Sequence, residues 1–129
     1  MDILQQNVKE VAKWDDMDLK DEVLRGIYAY GFENPSDIQK KAIMPMIQKK
    51  DLIAQAQSGS GKTGTFTIST LQTIDVTKPY TQALILAPTH ELAKQITSVI
   101  QDIGQYLDGL VVKTLIGGTS IREIGRAHV

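Results

Sequence analysis

Short runs of apolar residues alternate along the chain with stretches whose apolar positions recur every three or four residues. The continuous runs predict short buried strands at residues 52–54, 83–87 and 110–116. The spaced stretches predict helices at about residues 19–30, 37–48, 63–74 and 90–107. Strands that alternate with helices pair in parallel through right-handed crossovers, so the pattern predicts an α/β fold with a parallel sheet flanked by helices.

Single residues mark where several of these elements begin and end. Asp18 and Thr89 are predicted to cap the first and last helices, and Gly31 follows the first helix as a usual stop. Pro45 lies inside the second helix, which we expect to kink or to end early there. Residues 1–13 are polar and weakly patterned, so we expect a flexible N-terminal tail.

The segment between the first strand and its helix has the spacing of a phosphate-binding loop. Residues 56–63 fit the pattern G-x-x-x-x-G-K-[ST], except that Ala56 stands where the first glycine is usual. Gly59 and Gly61 let the backbone approach phosphate oxygens in conformations that a side chain forbids. The helix that follows would add free N–H groups and the positive end of its dipole.

Two side chains at the end of this loop complete the predicted chemistry. Lys62 can reach the β- and γ-phosphates as a point charge, and the hydroxyl of Thr63 can bind Mg²⁺. The alternative is an ordinary Gly/Ser turn between a strand and a helix. That alternative accounts for the glycines, but it does not account for Gly-Lys-Thr opening a helix after a buried strand.

Three loops follow the three predicted strands, at residues 57–62, 88–89 and 117–119. Because parallel strands end at one edge of a sheet, the three loops are expected to share that edge. Ligands of open α/β sheets bind there. The pattern therefore predicts one extended binding surface rather than three separate sites.

Composition narrows the class of protein. The chain has 129 residues, 42% hydrophobic and 22% charged, which favours one globular domain. A net charge of −1 excludes a broadly basic nucleic-acid binder but leaves room for a local patch. The absence of cysteine excludes disulfides and thiolate chemistry. The N-terminus lacks the features of a signal peptide and no apolar run could span a membrane, so we expect a soluble intracellular protein.

Four ordered segments give the chain a specific resemblance. Gly31-Phe32-x-x-Pro35-x-x-Ile38-Gln39 resembles the Q motif of the DEAD-box RNA helicases. Residues 56–63 resemble their motif I, residues 88–93 their motif Ia, and residues 117–118 their GG doublet. The resemblance spans residues 14–123 and implies an incomplete RecA-like P-loop domain. Within the family, the sequence is most similar to the subfamily that acts in translation initiation, with the nuclear exon-junction paralogue as the alternative.

The resemblance implies a site for ATP and Mg²⁺. Gln39 would contact the adenine edge, and Trp14 would stack on the base at a place where Phe is more usual. The alternatives are an exposed helix residue for Gln39 and a packing residue for Trp14. The other implied nucleotide-binding residues are Phe32, Pro35, Gln57, Ser58, Gly59, Ser60, Gly61, Lys62 and Thr63.

The same resemblance implies contacts to RNA phosphates that hold the strand without selecting its sequence. The implied RNA-binding residues are Pro88, Thr89, His90, Gly117, Gly118 and Thr119. A helix cap and a turn are the structural alternatives for these two segments. His90 replaces the Arg usual in the family, and because His is mostly neutral at pH 7 we expect weaker RNA binding.

The function implied for an intact relative is RNA unwinding coupled to ATP hydrolysis. The implied partners are RNA and translation initiation factors such as a 4G-type scaffold, in the cytoplasm or, for the paralogue, in the nucleus. The chain contains neither an Asp-Glu-Ala-Asp motif nor a second RecA-like domain, so we expect the 129-residue chain not to hydrolyse ATP alone. The alternatives are a non-catalytic fragment that binds nucleotide or partners, and another P-loop enzyme, which the Q motif disfavours.

The last six residues, 124–129, do not continue the sequence that the family resemblance predicts. Residues 124–129 are what a common sequencing adapter would encode before a stop codon, so we expect a non-native tail; a native C-terminus is the alternative. A three-stranded sheet would also leave an edge unpaired and apolar faces uncovered. We therefore expect the isolated chain to be poorly soluble or loosely folded.

Overall fold

The computed structural model of the chain describes residues 11–57, 59 and 61–117, in which helices are the regular elements. These are a 3₁₀ helix at Trp14–Met17, α1 at Asp21–Tyr30, α2 at Asp37–Ile47, α3 at Lys62–Thr73 and α4 at His90–Ile103. All four predicted α-helices are present. None of the helices in the described part of the chain is long and apolar enough to cross a membrane.

The first helix begins later than its sequence predicts. Residues Trp14–Met17 form a turn of 3₁₀ helix, and Asp18 ends that turn with a left-handed φ of 55°. Lys20, rather than Asp18, is therefore the N-cap of α1. Gly31 ends α1 as predicted, with a φ of 103° that places its N–H on the carbonyls of the last turn.

The ends of α2 and α4 also have local causes. The helix α2 continues past Pro45 to Ile47, and Lys49 then takes a left-handed φ of 61°. The helix α4 stops at Ile103, four residues before the predicted 107. A Cβ on Gly104 would lie only 2.6 Å from Leu110 Cδ2, so a glycine here lets the chain fold back closely against the helix end.

The sheet predicted from the sequence is not confirmed. Within residues 11–57, 59 and 61–117 the three predicted segments form no β-strand. Their side chains do alternate between half-buried and exposed positions, and Ile85, Ala87, Leu110 and Val112 pack on the helical core. Apolar runs predict burial from side chains alone, whereas a strand also needs main-chain hydrogen bonds to a neighbour.

The other side of these segments is uncovered. Five large apolar side chains are exposed there, by as much as 84% for Leu86, and they are Ile53, Leu84, Leu86, Val111 and Leu115. This agrees with the expectation of uncovered apolar faces. Exposed apolar area of this kind favours association or loose packing.

The core lies among the helices. Its fully buried side chains come from the 3₁₀ helix and from all four α-helices, and they include Trp14, Met17, Ile27, Ile43, Ile68, Leu71 and Ile103. The helix α3 lies centrally and packs on the other three α-helices, while α1 also packs on α4. Because α3 carries the end of the phosphate loop, the loop is anchored to the most buried helix of the structure.

Candidate functional site

The phosphate loop leads directly into α3, as predicted. Gly59 and Gly61 have φ values of 83° and 99°, in the left-handed region where glycine is favoured. The helix begins at Lys62, so its unpaired N–H groups lie at the end of the loop. This is the arrangement that binds phosphate at helix N-termini. Two predicted loop residues, Ser58 and Ser60, lie outside the described residues.

The carbonyl of Gly61 is held from three directions. It accepts hydrogen bonds from Thr65 N at 2.9 Å and from Thr65 Oγ1 at 2.8 Å. Gln39 Nε2 donates a longer bond of 3.3 Å to the same oxygen. Since Thr65 is only 4% exposed and Gln39 only 2%, the three bonds are shielded from water. The loop therefore ends in a fixed peptide.

Gln39 joins the Q-motif segment to the loop. Its Oε1 accepts a hydrogen bond from Ser36 N at 2.8 Å, while its Nε2 donates to Gly61 O. The exposed helix residue considered as the alternative for Gln39 is wrong, because the side chain is buried. Each end of the amide has one partner here and keeps a second N–H and a second lone pair, and an adenine contact stays a prediction.

Gly61 and Gly64 make this close approach possible. A Cβ on Gly61 would lie 2.7 Å from Gln39 Nε2, and one on Gly64 would lie 2.9 Å from both Gln39 Nε2 and Phe32 Cε2. The ring of Phe32 and the amide of Gln39 therefore rest directly on the first turn of α3. The structure thus brings the predicted adenine segment and the predicted phosphate loop together, and Pro35 is buried in the same segment.

Trp14, for which stacking on adenine is predicted, is buried against Phe32 in this structure. The indole has no exposed surface, its Nε1 donates to Phe32 O at 3.2 Å, and its ring stacks on Phe32 with centroids 6.2 Å apart. A base could stack on this ring only after it had been uncovered. The structure supports the packing role for Trp14, and it leaves Phe32, which is half-buried, as the more accessible aromatic ring.

The remaining nucleotide-binding predictions differ in exposure. Gln57 and Lys62 are exposed and Thr63 is half-buried, so all three are accessible at the loop. The described residues contain no group of three or more His, Asp or Glu side chains that could hold a metal ion. A Mg²⁺ at Thr63 would therefore depend on phosphate and water oxygens for most of its ligands, as Mg²⁺ commonly does.

The two predicted RNA-binding segments come together. Thr89 caps α4, as predicted, by accepting a hydrogen bond from Leu92 N at 3.1 Å. A Cβ on Gly117 would lie 3.4 Å from His90 Nε2, so the imidazole lies against the main chain of the GG doublet. Pro88, Thr89, His90 and Gly117 are all exposed. Gly118 and Thr119 lie outside the described residues.

Thr65 was not predicted from the sequence. A hydroxyl residue four positions after a glycine at a helix start can reach that glycine's carbonyl, and this spacing is a signal that could have identified it. Only the structure shows that the same Gly61 carbonyl also accepts a hydrogen bond from Gln39 Nε2.

Comparison with known protein families matches most of the chain to one family. The profile of the family described as "DEAD/DEAH box helicase" matches residues 36–128. Eukaryotic initiation factor 4A of Caenorhabditis elegans is 57% identical over 113 residues, which cover 88% of this chain and 28% of that protein. The chain spans less than a third of the length of the curated relatives that it matches.

Solved structures of helicases in this family are also similar to the chain. A DEAD box protein from the hyperthermophile Methanococcus jannaschii aligns with a TM-score of 0.79 and 31% identity, over 93% of this chain and 33% of that chain. The S. cerevisiae protein Dbp5 bound to RNA and ADP BeF3 aligns with a TM-score of 0.68 and 38% identity, over 74% of this chain and 25% of that chain.

Proposed function

The chain belongs to the DEAD/DEAH box helicase family, and we propose that it binds ATP with Mg²⁺ as the N-terminal RecA-like part of an RNA helicase of the initiation factor 4A type. The complete polypeptide would couple ATP hydrolysis to the unwinding of RNA. That activity belongs to a protein longer than this chain, because the relatives extend well beyond the aligned region.

One observation carries the proposal. The Q-motif segment is fastened to the phosphate loop by the bond from Gln39 to Gly61, although 22 residues separate them. This contact supports the proposal because adenine recognition by the one segment and phosphate binding by the other would then take place side by side. A general P-loop protein needs only the loop, whereas a protein selective for ATP needs a base-reading segment beside it.

The residues of the loop have separable tasks. The N–H groups at the start of α3 and the left-handed glycines would surround the phosphates, and Lys62 would add a positive charge. Thr63 would contribute one hydroxyl to Mg²⁺. When bound, the metal neutralises phosphate charge, and the chain's own part is to position the phosphates and keep the loop closed around them.

The adenine contact would use the pairing capacity of Gln39. Its amide can donate and accept at once, which matches the adjacent donor and acceptor on the edge of adenine. Because the bond to Gly61 is long at 3.3 Å, exchanging it for a bond to the base would cost little. Guanine presents two acceptors, O6 and N7, on the same edge and offers no donor to the amide oxygen of Gln39, so it is expected to be rejected.

The exposed surface formed by Pro88, Thr89, His90 and Gly117 is proposed to contact RNA phosphates. Main-chain N–H groups, the Thr89 hydroxyl and the imidazole supply donors without distinguishing one base from another. We propose a scaffold of the initiation-factor 4G type as the protein partner and the cytoplasm as the compartment. A nuclear exon-junction role is the alternative.

The proposal is tested by nucleotide titration of the 129-residue chain in the presence of Mg²⁺. Binding of ATP and ADP, with GTP and GDP competing poorly, is the expected result. Lys62→Ala should weaken ADP binding by tenfold or more, while Lys113→Ala, which removes an exposed lysine from another segment, should not. Equal affinity for adenine and guanine nucleotides would contradict the proposal. Assaying the ATP samples for released phosphate would show whether the chain alone turns over ATP, which we predict it does not.

A further inference from the structure

From the hydrogen bonds at the start of α3, we propose that Thr65 is a positioning residue that orients the Gly61–Lys62 peptide toward the β-phosphate of the nucleotide. Thr65 donates to Gly61 O twice, from its N–H at 2.9 Å and from its hydroxyl at 2.8 Å. The inference rests on the proposed nucleotide site, and it assigns a task to a residue outside the motif that identifies the site.

The argument starts from the planarity of the peptide bond. In a trans peptide the carbonyl of one residue and the N–H of the next point in opposite directions. The described residues contain no cis peptide. Fixing Gly61 O against Thr65 on the helix side therefore turns Lys62 N–H away from the helix, into the loop where phosphate would bind.

Glycine makes this fixation necessary. Gly61 has a φ of 99°, a conformation that glycine leaves easily because it has no Cβ to restrict it. The N–H bond of Thr65 is the ordinary first bond of the helix and is present in any helix that starts here. The hydroxyl bond is additional, and it is the contribution that depends on the residue type at position 65.

Gln39 also holds Gly61 O, but its hold is weaker and less permanent. Its bond is 3.3 Å long, compared with 2.8 Å for the Thr65 hydroxyl. If the amide of Gln39 turns to the adenine when nucleotide binds, that bond is lost. Among the residues that the structure describes, Thr65 Oγ1 would then be the one side-chain donor that still holds the carbonyl when nucleotide is bound.

The position of Thr65 supports this task. The residue is 4% exposed, so water does not compete strongly for its hydroxyl. Its own carbonyl accepts a bond from Ser69 Oγ at 2.8 Å, which continues the ordering one turn further along α3. Thr67, two residues away, is fully buried as well, but its hydroxyl has no hydrogen-bond partner. Thr67 is therefore a matched control.

The test compares nucleotides that differ in phosphate number. Thr65→Val keeps the shape of the side chain and removes the hydroxyl bond. We expect Thr65→Val to bind Mg–ADP about threefold to tenfold more weakly than the wild type, the range that corresponds to one net hydrogen bond. Binding of AMP, which has no β-phosphate, should not change. Thr65→Ser should restore ADP binding, and Thr67→Val should leave it unchanged.

A purely structural role for Thr65 gives a different result. It would weaken ADP and AMP binding equally, and that outcome would overturn the proposal, as would wild-type ADP affinity in Thr65→Val. If Thr65→Val does not fold, as judged by a thermal melt, Thr65→Ala takes its place: it also removes the hydroxyl, and it must weaken ADP binding while leaving AMP binding unchanged. If the wild type binds neither nucleotide, the proposed function itself fails, which is a separate and visible outcome.

Discussion

The closest approach between two helices gives the sharpest prediction about stability. Gly26 is buried in α1 where this helix crosses α4. A Cβ at this position would overlap Ile103 O and would lie 2.8 Å from Ile103 C. Both atoms are main chain, so no side-chain rotation can relieve the contact. Gly26→Ala can fit only if α1 and α4 move apart.

The expected cost follows from two opposing effects. Alanine in a helix gains about 1 kcal/mol over glycine from backbone entropy. Moving α1 and α4 apart far enough to relieve the overlap of the new Cβ with Ile103 would cost about 3 kcal/mol or more. Overpacking of this kind shifts the backbone and opens gaps around Ile27 and Ile103. The net destabilisation should be about 2 kcal/mol or more, a large share of the stability of a small domain.

Urea unfolding followed by circular dichroism would measure this loss. Glu22→Ala is a suitable control because Glu22 is exposed in the same helix, and it should shift the free energy of unfolding by no more than about 0.5 kcal/mol. If Gly26→Ala unfolded at the same urea concentration as the wild type, or at a higher one, the crossing of α1 and α4 described above would be wrong.

Four other predictions test single residues. Lys49→Gly should stabilise the chain by about 0.5–1 kcal/mol in urea unfolding because Lys49 has a left-handed φ of 61°, and no stabilisation would argue against that backbone. Thr67→Val should raise stability by about 1 kcal/mol, since it removes a buried hydroxyl without a partner; a lower urea midpoint would contradict this. His90→Arg should tighten RNA binding and steepen its salt dependence by about one phosphate contact, and equal affinity would refute the weak-contact hypothesis. The hydroxyl and the N–H of Thr77 donate to the Asp75 carboxylate and hold the pKa of Asp75 below its usual value. These two bonds should therefore persist as the pH falls, until the pH passes the lowered pKa. An ordinary pKa for Asp75 in an NMR titration would contradict the Asp75–Thr77 turn.

The helices could be predicted from sequence because their signals are local. Apolar spacing located all four, and Gly31 and Thr89 marked their ends correctly. Asp18 failed as a cap because tertiary packing of the preceding 3₁₀ turn took precedence over capping preference. The sheet could not be established in the same way, because strand pairing depends on partners distant in sequence.

The site was predicted as a set of residues but not as an arrangement. The motif spacing identified the loop, and the resemblance added the Q motif. Sequence gave no indication that Gln39 is buried against Gly61, because that contact depends on how α2 packs on α3. The burial of Trp14 was likewise not predicted, and its stacking on adenine stays a prediction.

The central claim is that the Q-motif segment and the phosphate loop form one site for adenine nucleotides. Amide NMR spectra of the chain titrated with Mg–ADP test it most directly. The account predicts saturable shifts of the main-chain amides of Gly61, Lys62 and Thr63, together with the side-chain amide of Gln39. Shifts of the loop amides with an unchanged Gln39 side chain, or no saturable shifts at all, would contradict it.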